Sequence, residues 1–310
     1  MINILFAAVT DRWDQYQEPL KKELDLTGLE YKLSKKLPPP EVDYIIYAPN
    51  SSIKDFSVFT NLKAVLNLWA GVEDVVKNET LKVPLARMVD KGLTQGMKEW
   101  VLGHVMRHHL GIDLHIFGQD GHWRDWSSPP LASDRNVTIL GLGALGAECA
   151  STLANIGFKV RGWSLTKKSI DHVICHHGFE GLEKSLLDSE IVILLLPSTA
   201  DTENIINTKT ISYLKKNAII INPGRGTLID EKALLKSLDD GKLAHATLDV
   251  FRQEPLPAEH LFWWHSKITV TPHIASESRP QTASKVIATN IDRFEKGKPL
   301  LYQVNFEAGY

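Results

Sequence analysis

Short apolar runs of strand length alternate along this chain with stretches whose apolar residues recur at helical spacing. In the first third, residues 2–9, 43–47 and 64–68 are such runs, separated by polar, helix-capable stretches. The alternation predicts a small α/β unit built on a parallel sheet. Pro38–Pro39–Pro40 reads as a turn or rigid connector. Near Thr94 the pattern changes. Met97, Val101, Val105 and His108–His109 keep helical spacing, which predicts a long domain-crossing helix over 95–110. Residues 118–135, rich in Gly, Ser, Pro and Asp and carrying Trp123 and Trp126, read as a loop.

A second and more regular α/β unit follows. Strands are expected near 137–141, 159–163, 191–196, 218–222, 245–250 and 267–271, with helices filling most of the gaps. Leu145, Cys149, Leu153 and Ile156 form one apolar stripe, closed by Gly157 at a helix C-terminus. Asp230 is placed to cap a helix carrying Leu234, Leu235 and Leu238, which Gly241 ends. Six strands with mostly short connections describe a doubly wound parallel sheet. The last helical stretch, about 280–298, is expected to return to the first domain.

Composition narrows this picture without redirecting it. A chain of 310 residues, 43% hydrophobic and 23% charged, is long enough for two cores. The net charge of −2, from 35 basic and 37 acidic residues without blocks of one sign, argues against nucleic acid or an anionic membrane as partner. The longest apolar runs, such as IVILLLP at 191–197, are too short to span a bilayer. MINILFAAV lacks a basic n-region and reads as the first strand rather than a signal peptide. Cys149 and Cys175 provide no disulfide framework, which fits a reducing compartment, with cytoplasm the default.

The candidate chemistry lies at the strand ends. GLGALG (141–146) follows a strand and opens a helix, the context in which a glycine motif binds a dinucleotide. Gly141 allows the tight turn, Gly143 lets the backbone approach a pyrophosphate, and Gly146 lets the helix pack on the strand; Ala144 and Leu145 complete the turn. Leu196–Pro197 and Pro223–Gly224 end two further strands on the cofactor side. At the end of the next strand, an NAD-binding fold carries an acid for the ribose 2′-hydroxyl. Here the chain reads Trp163–Ser164, then Leu165, Thr166, Lys167 and Lys168, with no carboxylate. A hydroxyl with ammonium groups suits a 2′-phosphate, which favours NADPH over NADH; the alternative is that Lys167 and Lys168 are solvated surface lysines.

Arg225, Glu254 and His273 each stand just past a different strand in the second unit. The guanidinium can pair with a substrate carboxylate and carbonyl, the imidazole can give a proton to the carbonyl oxygen, and the carboxylate can orient that imidazole. Any one of them alone would read as a surface ion pair or a capping histidine. Three at consecutive strand ends point to hydride transfer onto a small keto acid.

The strings NPGRG (222–226), DVFRQEPLP (249–257) and TPHIA (271–275) resemble the signatures of the D-2-hydroxyacid dehydrogenases, in the same order and over nearly the whole chain. NLWAGVE (67–73) is similar to that family's substrate loop. The Trp before AGV, the WS at 163–164 and SRP at 278–280 are similar to its glyoxylate/hydroxypyruvate reductase A type. The resemblance implies Arg225, Glu254 and His273 as catalytic trio, with Ala70 and Gly71 as main-chain donors to the substrate carboxylate. It further implies Trp69 as the wall of a pocket for two- and three-carbon acids, Asp249 near the nicotinamide amide, and Arg279 as an added substrate contact. D stereochemistry and a homodimer also come from it, the latter burying Trp123 and Trp126 against a second subunit. Two positions depart from the family pattern: Leu165 where many NADPH users carry arginine, and Glu73 where Asp is usual.

The expectation is therefore an α/β protein of two Rossmann-like/flavodoxin-like domains with parallel sheets and a cleft between them. Residues 1–96 and 278–310 form the discontinuous substrate domain, and 97–277 the dinucleotide-binding domain. The expected reaction is reduction of glyoxylate to glycolate and of hydroxypyruvate to D-glycerate, with NADPH, or NADH as the alternative. Two other readings stay open. One is a dinucleotide-sensing regulatory protein on a dehydrogenase fold. The other is a dehydrogenase for formate, phosphite or a bulkier 2-hydroxy acid; formate enzymes of this fold carry Gln at the position of Glu254, and Trp69 would crowd a bulky substrate.

Several features carry no chemistry in this reading. His104 and His108 have metal-ligand spacing on one helix, but no carboxylate is placed as third ligand and no metal is expected. His176–His177 fall in an exposed polar connection, and Trp123, Trp126, Trp263 and Trp264 belong to core or interface.

Overall fold

The computed structural model describes residues 1–125 and 128–310, without the side chain of Thr10. Trp126, expected above at an interface, lies outside the described residues. The chain divides into two compact units, Met1–Leu93 with Glu277–Tyr310, and Thr94–Ser276. The first division falls after Leu93, inside a helix, where the expected boundary lay after residue 96.

The first unit starts β1 (Ile2–Ala7), α1 (Thr10–Asp25), β2 (Tyr31–Ser34), β3 (Tyr44–Tyr47), β4 (Ala64–Asn67) and β5 (Leu85–Ala86). All pairings are parallel, in the order β2-β1-β3-β4-β5. Alternation along each strand sends Ile4, Phe6, Tyr44 and Ile46 to one core with Tyr16, Leu20 and Leu24 of α1. Leu5, Ala7, Ile45 and Tyr47 go to a second core with Phe56, Val65 and Val75. Both faces are thus covered, as a parallel sheet requires. β2 and β5 are not among the expected strands. One is half polar at the sheet edge, and the other has two residues, too few to show a period.

The second unit holds most of α2 (Lys91–Leu110), then α3 (Ile112–Phe117), β6 (Asn136–Leu140), α4 (Ala144–Ile156), β7 (Lys159–Ser164) and β8 (Val173–His177). It continues with α5 (Gly178–Leu186), β9 (Ile191–Leu194), α6 (Thr208–Ser212), β10 (Ala218–Asn222), α7 (Glu231–Asp239), β11 (Leu243–Leu248) and β12 (Ile268–Val270). α8 (Pro280–Glu295) belongs to the first unit, where Ala283, Ile287 and Ile291 join the core containing α1. α2 starts four residues before the apolar spacing shows, because the Asp90 carboxylate accepts the Gly92 and Leu93 amides.

The sheet of the second unit is fully parallel, ordered β12-β11-β10-β9-β6-β7-β8. The order reverses between β6 and β9, and at such a switch point ligands bind beyond the carboxyl ends of the strands. Seven strands replace the six expected. β8, the sequence VICHH, stands where a polar connection is expected, because two histidines interrupt a short apolar run at the sheet edge. His176 and His177 are therefore strand residues, the first half-buried and the second exposed. Two helix ends follow the reading: Gly157 closes α4 with φ +110°, and Asp230 caps α7 by accepting the Lys232 and Ala233 amides. The α4 stripe needs correction, since Gly146, Cys149, Ala150 and Leu153 are buried while Ile156, in the last turn, is exposed. Trp123, Trp263 and Trp264 are likewise exposed in the single chain rather than in its core. No helix among the described residues is long and apolar enough to cross a membrane.

Candidate active site

β10, β11 and β12 are neighbours, and the segments leaving their carboxyl ends carry Arg225, Glu254 and His273. Nδ1 of His273 lies 2.6 Å from Oε2 of Glu254, and the other carboxylate oxygen accepts the Phe251 amide at 2.8 Å. With Nδ1–H held by the carboxylate, Nε2 is the ring nitrogen left to exchange a proton. The hydrogen bond to Glu254 raises the His273 pKa above its ordinary value, outweighing burial and the Arg225 charge, which oppose it. Burial would raise the Glu254 pKa, but the bonds from His273 and the Phe251 amide, with the His273 and Arg225 charges, hold it below the usual carboxylate value. An imidazole whose protonated form is favoured by a neighbouring carboxylate is suited to donate a proton.

The backbone around Arg225 is braced. Asn222, buried at the end of β10, donates to the Arg225 carbonyl at 2.8 Å and accepts the Gly224 amide at 3.1 Å. A Cβ on Gly226 would overlap the backbone of Phe251 and Arg252, so glycine lets the Arg225 turn lie against the segment leading to Glu254. Arg225 itself is half-buried, and its Nη1 donates to the Gly224 carbonyl at 2.7 Å.

His273 adopts φ +55°, a conformation uncommon for a non-glycine residue, and the surroundings hold it there. Fully buried Asp249 accepts the Thr271 hydroxyl at 2.6 Å and the Ile274 and Ala275 amides at 2.9 Å each. Its own carbonyl accepts the His273 amide at 2.8 Å. One carboxylate thus fixes the loop on both sides of the imidazole.

The glycine-rich turn fits a diphosphate. A Cβ on Gly146 would overlap the Gly141 carbonyl, and one on Gly141, at φ +106°, would overlap the Leu195 carbonyl. At Gly143 nothing lies within 4 Å of that position, so the backbone there borders open space. No side chain caps α4, leaving its first-turn amides and positive dipole end for an anion. Leu196 and Pro223–Gly224 are buried, and the Pro197 carbonyl accepts the Thr202 hydroxyl. At the end of β7, Ser164 is buried and donates to the Thr166 carbonyl at 2.7 Å, while Leu165, Thr166, Lys167 and Lys168 are exposed.

In the first unit, Asn67 at the end of β4 plays the part that Asn222 plays at β10. Its amide donates to the Trp69 and Gly71 carbonyls at 2.9 Å each, and the Met88 amide also bonds the Trp69 carbonyl. With the Trp69 and Gly71 carbonyls taken, the loop is held at both ends, and the Trp69 ring is exposed. The Ser278 hydroxyl donates to the Leu68 carbonyl, just before that loop, and the stem of the next residue, exposed Arg279, packs over Gly92.

Comparison with known proteins decides what this arrangement belongs to. Residues 101–275 match the family model described as "D-isomer specific 2-hydroxyacid dehydrogenase, NAD binding domain". Glyoxylate/hydroxypyruvate reductase A of Photorhabdus laumondii is 38% identical over 258 residues, 81% of this chain and 82% of that protein. The chain belongs to the D-isomer specific 2-hydroxyacid dehydrogenase family. Among solved structures, a member from Xanthobacter autotrophicus Py2 in complex with NADPH and MES superposes with a TM-score of 0.92 at 38% identity, covering 99% of each chain. The NADPH-dependent glyoxylate/hydroxypyruvate reductase of Sinorhizobium meliloti, in complex with NADP and sulfate, gives 0.86 at 34% identity over 100% of each chain.

Set in this family, the structure brings Arg225, Glu254 and His273 to adjacent strand ends and the glycine turn to the switch point. Ala70, Gly71 and Arg279 all belong to the first unit. Asn67, Asn222 and the Phe251 amide were not singled out from sequence. The signal for the two asparagines was there: each closes an otherwise apolar strand, AVLN and AIIIN, and each is buried. His104 and His108 have structural surroundings. The first packs at a tilt against Trp100, ring centroids 4.3 Å apart, and the second bonds the Thr247 hydroxyl at 2.9 Å.

Proposed function

We propose that this dehydrogenase reduces small 2-keto acids, glyoxylate to glycolate and hydroxypyruvate to D-glycerate, with NADPH. The observation that carries the reading is the 2.6 Å pair of His273 and Glu254, with the Arg225 charge acting on both. The names of the Photorhabdus and Sinorhizobium relatives support the substrate class, and the cofactors of the Xanthobacter and Sinorhizobium structures support NADPH.

In this reading the bound NADPH supplies the hydride that adds to the carbonyl carbon. Arg225 holds the substrate carboxylate and carbonyl oxygen with paired charge-assisted hydrogen bonds. His273 gives its Nε2 proton to the carbonyl oxygen, which becomes the product hydroxyl. Glu254 keeps the imidazole oriented and protonated, and Asp249 fixes the loop that bears it. The amides of Ala70 and Gly71, with Arg279, cradle the substrate carboxylate, and Trp69 limits its size. Gly141, Gly143, Ala144, Leu145 and Gly146 receive the diphosphate, Ser164, Thr166 and Lys167 receive the 2′-phosphate, and Leu196, Pro197, Pro223 and Gly224 line the remaining cofactor side.

We assign Met1–Leu93 with Glu277–Tyr310 as substrate domain and Thr94–Ser276 as dinucleotide domain. Two copies pair through the region of α3 and the loop after it, where Ile116, Phe117, Trp123 and Leu131 expose apolar surface. The two free cysteines fit a cytoplasmic protein.

The test is consumption of reduced nicotinamide by purified protein, with NADPH and NADH each paired with glyoxylate, hydroxypyruvate and pyruvate. Turnover is expected with NADPH and the first two acids. Preference for NADH would remove the 2′-phosphate reading, and silence with all pairs would remove the enzyme reading.

A further inference from the structure

β7 and β8 run parallel, with Trp163 opposite His176 and Ser164 opposite His177. In-register residues of neighbouring strands share a face, and the face alternates at each step. Val160 on β7 and Val173 and Cys175 on β8 pack in one core with Cys149 and Leu153 of α4. Steps of two along each strand therefore put Gly162 and Ser164, and likewise His177, on the α4 face. Gly162 confirms the direction, because a Cβ there would strike Leu142 of the glycine-rich turn. Trp163 and His176 turn the other way: the Trp163 indole donates to the Gly178 carbonyl at 2.8 Å, and a Cβ on Gly181 would meet the His176 Cβ at 3.3 Å.

His177 thus ends its strand one place across from Ser164, on the face of the phosphate-binding helix. It is exposed and makes no side-chain capping bond to α5, so its ring is not committed to that helix. In a sheet of this order, the adenosine ribose of a dinucleotide sits at the end of the strand that Ser164 closes. Leu165 offers no donor there, and the Ser164 proton is turned to the Thr166 carbonyl. Thr166 and Lys167 follow on the same segment, and neighbouring strands lie only about 4.8 Å apart, so a side chain at the end of β8 can reach a 2′-phosphate held there.

We infer that His177 is a specificity residue, donating a hydrogen bond from its imidazole to the 2′-phosphate of NADPH beside Thr166 and Lys167. The inference rests on the NADPH reading above and adds a residue on a strand that sequence alone had not placed. His176 serves as its internal control, since it lies one residue away on the opposite face.

Calorimetric titration of the cofactor-free protein with adenosine 2′,5′-bisphosphate and with 5′-AMP tests this without turnover. The wild type is expected to bind the bisphosphate more tightly than AMP. His177→Ala is expected to weaken the bisphosphate about tenfold, the size of one charge-assisted hydrogen bond, and to leave AMP binding as it was. His176→Ala is expected to leave the preference for bisphosphate over AMP intact. Unchanged bisphosphate affinity in His177→Ala would overturn the inference while the NADPH reading stands. A wild type that does not distinguish the two nucleotides would overturn both.

Discussion

His273 and Glu254 leave the sheet from adjacent strands and meet through a 2.6 Å bond between Nδ1 and Oε2. The bond raises the His273 pKa above its ordinary value. A raised histidine is protonated below its ordinary pKa of about 6.5 and loses that proton only as pH climbs through the higher, folded value. Reduction, which draws on the protonated form, is therefore expected to decline on the alkaline side, at a pH above that ordinary value. Glu254→Gln removes the negative partner and should move the decline toward lower pH, with a smaller kcat. Superimposable kcat/KM profiles of the two proteins would count against the pair.

The glycines of the 141–146 turn should separate by role. Gly146→Ala puts a Cβ into the Gly141 carbonyl and is expected to lower Tm markedly. Gly143→Ala meets nothing in the protein, so Tm should hold while the Kd for NADPH rises at least tenfold. Thermal melts with and without cofactor distinguish them, and equal effects on Tm would refute the assignment.

Asp249 holds the histidine loop with a carboxylate that accepts three hydrogen bonds. Asp249→Asn places an NH2 group against donors, leaving at least one buried amide without an acceptor, at a cost of about 1–3 kcal/mol. The expected result is a lower Tm together with a kcat loss larger than any change in cofactor Kd. A variant stable as wild type and fully active would show that the loop needs no such anchor.

Much of this was legible beforehand, for a physical reason. Buried parallel strands are continuous apolar runs, and the residues just beyond them, Arg225, Glu254 and His273, stand out as polar groups at fixed points of a periodic pattern. The elements that escaped lack that contrast. β8 mixes Val173 and Ile174 with His176 and His177, because an edge strand buries less of its surface. The early start of α2 depends on one capping carboxylate, Asp90, rather than on spacing. Asn67 and Asn222 act through amide contacts to backbone carbonyls, and only folding shows which carbonyls those are.

A cluster away from the active site sets an acid limit on stability. Burial first, then the charges of neighbouring His245 and Arg107, pushes the His108 pKa down to about 3. Burial, then Arg107, pushes His245 down to about 4. Their rings lie 5.0 Å apart; Arg107, Asp113, His104 and His265 are the charged and titratable groups acting on one or both. A depressed histidine takes up its proton more readily when unfolded, so the stability of the neutral pair is complete above about pH 6.5 and is lost as pH falls toward the folded values. Between pH 7 and 5 the loss is about 2 kcal/mol for each histidine. His108→Gln should flatten this dependence, as read from Tm across that range. A variant whose Tm falls with pH as steeply as the wild type would contradict it.

The central claim is that His273 delivers the proton that completes keto-acid reduction, and single-turnover kinetics of His273→Ala with NADPH and glyoxylate tests it most directly. The predicted result is a rate lower by about 10²–10⁴ with the NADPH Kd nearly unchanged. A rate close to that of the wild type would contradict the account.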